Sequence, residues 1–202
     1  MALNTNMIKI FTVGIFFILL SLLMVAIYKI KELKNIKYYP PELLTNKKIL
    51  IVYYSNIGNT KSVAENIHSV VDGDIKEIEL IEKYPNNIFK MSKFVRKQIK
   101  EDYFPEIEDI DISNYDIIFV GSPIWNFSVS LPVKAFLKNN NFENKILIPF
   151  FTYSGGASKK KIINEVKNST SAKDIKQPLF MFENGIILTK EQIIKWLNNI
   201  IY

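Results

Sequence analysis

The sequence predicts an α/β protein, a doubly wound five-stranded parallel sheet preceded by one transmembrane helix. Three observations carry that expectation. Apolar runs alternate with stretches of helical spacing five times between residues 48 and 200, the order that builds β-then-α units. The runs "DIIFVG" and "KILIPFF" show no polar alternation, as strands covered by helices on both faces require. Ahead of them, Ile10 to Tyr28 is an uncharged stretch of 19 residues between Lys9 and Lys29. As a helix it reaches about 28 Å, close to the thickness of a bilayer's hydrocarbon core.

Residues 1–30 are therefore expected as a membrane anchor. The competing reading is a cleaved signal peptide, which the length of the apolar run and the poor cleavage site in "MVAIYK" disfavour. Lys29, Lys31, Lys34 and Lys37 follow the span, against Lys9 and the terminal amine before it, a bias that favours the domain on the cytoplasmic side. Residues 31–47 are charged and then broken by Pro40-Pro41, which suits a stalk. The domain is expected over 48–202, with strands near 48–54, 75–80, 116–121, 145–151 and 177–183. Helices are expected near 60–71, 87–101, 131–139, 158–168 and 190–200. Sheets of this kind bind ligands beyond the carboxyl ends of their strands, where chain order reverses. The loops 55–60, 122–130 and 152–158 meet that criterion.

Composition removes several function classes. Of the net charge of +6, residues 1–47 hold +4, from six lysines against Glu32 and Glu42, so the domain carries only +2. A nucleic-acid footprint needs a concentrated basic face, and the densest run, Lys159 to Lys161, reads as a solvated helix start. There is no cysteine, which excludes disulfides, thiolate metal sites and cysteine nucleophiles. His68 is the only histidine, so a histidine-based metal site is not expected. The acidic stretch "EIEDIDISNYD" alternates with isoleucine, as a solvated connection packing one edge would. Ser122 and Ser154 have no histidine near them in sequence to act as base. Trp196 falls on the apolar stripe of the last helix and is expected in the core.

The loops themselves are more informative. "SNIGNTKS" matches neither G-x-G-x-x-G nor G-x-x-x-x-G-K-[ST], but Gly58 lets the backbone curl while the amides of 57–61 and the hydroxyls of Ser55 and Thr60 converge. With the positive end of the following helix, that makes a nest for one phosphate group. The competing reading is an ordinary helix cap. "GSPIWNFSVSLP" presents Trp125 and Phe127 in a turn bounded by Pro123 and Pro132, where a flat ligand would find a wall. "TYSGGAS" offers hydroxyls, an aromatic and paired glycines along which a ligand edge could lie. A phosphate nest, an aromatic wall and a glycine-rich edge describe a planar heterocycle on a phosphorylated chain, flavin mononucleotide (FMN).

At this point "VYYSNIGNTKSVAENI", "YDIIFVGSPIWNFSVSLPVKAFL" and "ILIPFFTYSGG" resemble the phosphate loop and the two flavin loops of the flavodoxin family, in the branch that carries "PIW". The resemblance covers roughly residues 48–200. It implies a flavodoxin-like sheet of strand order 2-1-3-4-5, non-covalent FMN and redox chemistry centred on the flavin. Carried over by position, it implies that Ser55, Asn56, Ile57, Gly58, Asn59 and Thr60 hold the phosphate. Pro123, Ile124, Trp125 and Asn126 would border the ring on one side, and Thr152, Tyr153, Ser154, Gly155 and Gly156 on the other. The chain departs from that branch at Asn126-Phe127, where a second aromatic and then a glycine are usual. It also lacks the strong acidity of soluble electron shuttles, so electrostatic steering of a partner would be weak. The expected function is electron transfer or flavin-dependent reduction at a membrane surface, as carrier or as an enzyme acting on a quinone or other small acceptor. The alternative is a non-redox binding module that has lost the flavin.

Overall fold

In the computed structural model, residues 5–34, 42–85, 87–101, 103–156, 158–182 and 190–200 are described. Pro40-Pro41 and residue 183 of the last expected strand lie outside them. Two compact units divide the chain between Lys37 and Tyr38. In the first, helix α1 runs Thr5–Lys34 and contains an apolar window, Phe11–Tyr28, long and apolar enough to cross a membrane. Its side chains from residue 11 to 28 are all exposed. That pattern fits a helix solvated by lipid or a signal sequence equally.

The second unit is built on strands β1 (Ile49–Tyr53), β2 (Asp74–Glu77), β3 (Ile117–Trp125), β4 (Ser128–Val129), β5 (Ile146–Tyr153), β6 (Asp174–Ile175) and β7 (Leu179–Phe182). Helices α2 (Asn59–His68), α3 (Ile88–Lys100), α4 (Leu131–Asn139), α5 (Lys159–Ser169) and α6 (Lys190–Asn198) alternate with them. The parallel ladder runs β2-β1-β3-β5-β6, with β7 also paired to β5. The fifth position of the expected 2-1-3-4-5 order is thus filled by two short pieces, β6 and β7. Pro178 stands between them and has no amide to give the ladder. Strand β4 is an antiparallel addition to the end of β3, absent from the sequence expectation.

Alternation through β1, β3 and β5 explains the unbroken apolar runs. Leu50, Val52, Ile118, Val120, Leu147 and Phe151 join a core cluster with Met91 and Val95 of α3, Phe136 of α4 and Ile162 of α5. Ile49, Ile51, Ile117, Phe119, Ile148 and Phe150 face the other way, onto Val63 and Ile67 of α2 and Ile193 and Leu197 of α6. Trp196 joins that second cluster, edge-on to Phe119 with ring centroids 6.0 Å apart. Leu44, within the stretch expected as stalk, is buried in the same cluster. Strand β2 stops at Glu77, short of the expected residue 80. From there Leu80 turns away to bridge Ile107, and Ile110 and Ile112 of the acidic stretch are buried. Isoleucine packs inward there while the carboxylates face solvent.

Candidate functional site

The carboxyl ends of β1, β3 and β5 lie at the same end of the sheet: β1 stops at Tyr53, opposite Gly121, while β3 and β5 run on beyond it with Pro123 opposite Thr152. The three expected loops therefore meet at one end of the sheet. Ser55, Asn56, Ile57, Asn59, Thr60, Pro123, Ile124, Trp125, Asn126 and Ser154 line one cleft of about 270 Å³. A second depression of about 220 Å³ shares Ile124, Asn126 and Ser154 with it and adds Phe127, Tyr153 and Gly155. Gly58, Thr152 and Gly156 line neither depression; Gly58 and Gly156 are exposed and Thr152 is buried. Among the described residues bordering the two depressions none is charged.

The first loop is held open at the head of a helix. Gly58 takes φ 93 at the N-cap of α2, a left-handed conformation that glycine adopts without strain. No side chain caps this helix. By contrast Asn87 accepts from Phe89 and Lys90 at the start of α3, and Ser158 accepts from Lys161 at the start of α5. Ser55 is used otherwise: its Oγ accepts the Gly58 amide at 3.1 Å, which closes the loop. An ordinary side-chain cap is thus excluded for α2, whose first amides are available to an anionic group. Thr60 is buried at 1% exposure, and its Oγ1 lies 2.8 Å from Thr152 Oγ1. Two hydroxyls that share one proton in such a bond keep a second proton to donate elsewhere.

The second loop is a hairpin. Ile124 and Trp125 pair with Val129 and Ser128, leaving Asn126 and Phe127 as a two-residue turn at φ 48 and 59. Both signs match the primed turns that suit strand twist. Asparagine tolerates that region, whereas phenylalanine is strained in it. Buried Ser122 ties the base, with its Oγ accepting the Ser130 amide at 3.0 Å and lying 3.0 Å from Ser130 Oγ. This brace answers what Ser122 does without a histidine. Trp125 is half-buried, edge-on to Tyr54 at 5.5 Å and near Tyr84 at 5.8 Å between ring centroids. One side of the indole packs on the core and part of it lines the cleft. Burial first, then the nearby carboxylates of Glu77 and Glu79, push the Tyr54 phenol far up. Tyr84 is pushed up mainly by burial as well, and its hydroxyl donates to Gln98 Oε1 at 3.0 Å. Both rings stay neutral, in keeping with an uncharged wall.

Sequence reasoning missed Met91, Ser92 and Val95 of α3, which also line the first cleft. Met91 and Val95 are spaced i, i+4 and are buried, so their pattern is that of any core-facing stripe.

Comparison with known proteins gives the family and the fold. The sequence model of the Flavodoxin family matches residues 48–200. A protein of known structure described as a flavoprotein, from Bacteroides eggerthii DSM 20697, is 26% identical with a TM-score of 0.64. That match covers 78% of this chain and 99% of that one. A flavoprotein from Lactobacillus acidophilus NCFM, solved in complex with FMN, is 33% identical with a TM-score of 0.55. It covers 67% of this chain and 92% of its own. Another from Bacteroides uniformis ATCC 8492 shares the fold at 22% identity and a TM-score of 0.64, over 75% of this chain and 98% of that one. Among proteins with curated descriptions, none matches.

Proposed function

Because this chain belongs to the flavodoxin family, matched over residues 48–200, we propose that it binds FMN non-covalently in the cleft and passes electrons at a membrane surface. The observation that carries the reading is the first turn of α2, which is left without a side-chain cap beside an uncharged cleft. That combination suits a phosphate on a chain whose other end is a neutral ring. The similar protein from Lactobacillus acidophilus was solved with FMN, which supports the choice of ligand.

Ser55, Asn56, Ile57, Gly58, Asn59 and Thr60 hold the phosphate, through backbone amides and the Thr60 hydroxyl. Pro123, Ile124, Trp125 and Asn126 border the ring from one side. Thr152, Tyr153, Ser154, Gly155 and Gly156 border it from the other, where the exposed glycines let backbone groups approach. When bound, the flavin supplies the electron chemistry, while the protein supplies orientation and electronics. The helix α1 anchors the domain as a single span, and the lysine excess after the span directs the domain to the cytoplasmic side. Electrons pass either to a redox partner protein or to a small acceptor such as a quinone.

The test is a titration of the purified full-length protein in detergent with FMN and with riboflavin. FMN should bind far more tightly and yield visible absorbance. Equal affinity for the two would remove the phosphate assignment, and no uptake of either would favour a binding module without flavin.

A further inference from the structure

Glu165 lies on α5, away from all three loops that border the cleft, yet its carboxylate reaches the hairpin. Its Oε2 accepts from Ser128 Oγ at 2.9 Å and from the Val129 amide at 3.0 Å, and Lys134 Nζ lies 3.1 Å away. Lys134 also donates to Ser128 Oγ at 2.8 Å, and Lys161 Nζ stands 3.7 Å from Oε1. The side chains of Glu165 and Lys134 are 19% and 18% exposed, the most shielded of the described ion pairs. Burial alone would raise the Glu165 carboxyl. The Val129 amide, the Ser128 hydroxyl and Lys134 outweigh it and hold the group below its ordinary value.

The hairpin needs an external brace. Strand β4 has only two residues, and the turn it closes puts Phe127 at φ 59, a conformation that L residues with bulky side chains rarely hold. Trp125 and Asn126, which line the first cleft, and Phe127, which lines the second depression, are the residues that turn displays. The helix carrying Glu165 begins at Lys159, just after the third loop, so one carboxylate fastens the second loop to the element that the third loop leads into.

We propose that Glu165 is a positioning residue for the ring-binding hairpin: its carboxylate grips Ser128 and Val129 so that Trp125 to Phe127 keep a strained turn beside the cleft, and it thereby sets how tightly the cofactor is held in each redox state. The inference rests on the FMN reading for its ligand and on the described hydrogen bonds for its geometry. A loose hairpin would present Trp125 and Asn126 over a range of positions, and misplacement by a fraction of an ångström is enough to weaken a preorganised site.

The experiment compares full-length wild type in detergent with Glu165→Ala, Glu165→Gln, Phe127→Gly and the Glu165→Ala/Phe127→Gly double variant. FMN dissociation constant, flavin midpoint potential and amide exchange of the cofactor-free protein are read for each. Glu165→Ala should weaken FMN binding about tenfold or more, because a charge-assisted bond and two partners are lost together, and should shift the potential. Its Val129 amide should exchange faster while amides of β1 keep wild-type rates. Glu165→Gln, which keeps an acceptor but not the charge, should fall between. In the Phe127→Gly background the same loss should shrink to about threefold or less, since glycine holds a left-handed turn unaided.

Unchanged affinity and potential in a folded Glu165→Ala protein would overturn the proposal. So would an equal loss with and without Phe127→Gly, which would mean that Glu165 acts on general stability. If Glu165→Ala does not fold, the glutamine variant is read by the same criteria. A wild-type protein that takes up no FMN would instead overturn the functional reading. The brace is then judged by exchange alone: faster exchange confined to residues 125–130 supports it, and unchanged or uniformly faster exchange refutes it.

Discussion

At the scale of single residues, the buried contact between Thr60 and Thr152 decides what a mutation in the phosphate loop will do. Thr60→Val preserves shape, removes the hydroxyl that the proposed function assigns to the phosphate and leaves Thr152 without its partner 2.8 Å away. Affinity for FMN should fall by about 1.5–3 kcal/mol. Affinity for riboflavin, which lacks the phosphate, should change little, and parallel fluorescence titrations check the difference. Trp125 has two roles to separate, since it packs edge-on to Tyr54 and Tyr84 and also lines the cleft. Its face attracts an oxidised ring more than an electron-rich reduced one. Trp125→Ala should therefore cost oxidised FMN on the order of 1–3 kcal/mol and raise the potential of the two-electron couple, because removing a preference for the oxidised state shifts the balance toward the reduced one. Thermal stability should also fall, given the lost aromatic contacts. A folded variant with wild-type affinity and potential would restrict Trp125 to packing.

At the scale of elements, what could be read in advance followed burial. Strands β1, β3 and β5 are covered on both faces, and their apolar runs announced them. Strand β2, "DIKE", is half exposed, so nothing in its composition fixed where it leaves the ladder. The hairpin at β4 was invisible because its turn is Asn126-Phe127 rather than a glycine pair, and one of the contacts on it, from Glu165 to Ser128 and Val129, comes from a residue distant in sequence. The cleft face of α3 was hidden for the opposite reason, since Met91 and Val95 look like core. Eight of the ten expected residues lining the first cleft were legible because "SNIGNT" and "PIW" carry local chemistry; Asn126 and Ser154 lie outside both stretches. Gly121 shows how tightly the central elements fit. A Cβ there would collide with the ring of Phe150 and come within 2.9 Å of Tyr53 Cβ, and Phe150 is fully buried. Gly121→Ala should destabilise the domain by about 1–3 kcal/mol through overpacking, measured as a lower denaturation midpoint with unchanged denaturant slope.

At the scale of the whole molecule, the absence of cysteine makes topology directly measurable. Lys160 is exposed at the start of α5, and Lys160→Cys gives the chain a single thiol. With the domain cytoplasmic, that thiol should resist an impermeant reagent in intact cells and react after lysis. Labelling of intact cells would put the domain outside and require an extracytoplasmic electron source. The sheet also has two poles with different duties. Strand β1 starts beside Lys48, whose amide is tied to Asp116 just before β3, whereas the cleft opens past Tyr53 at the far end of β1. The five residues between span roughly 17 Å of strand. Lys48 and the mouth of the cleft therefore stand at opposite ends of β1, and a surface linkage made at the Lys48 pole of the sheet would leave the mouth of the cleft facing solution.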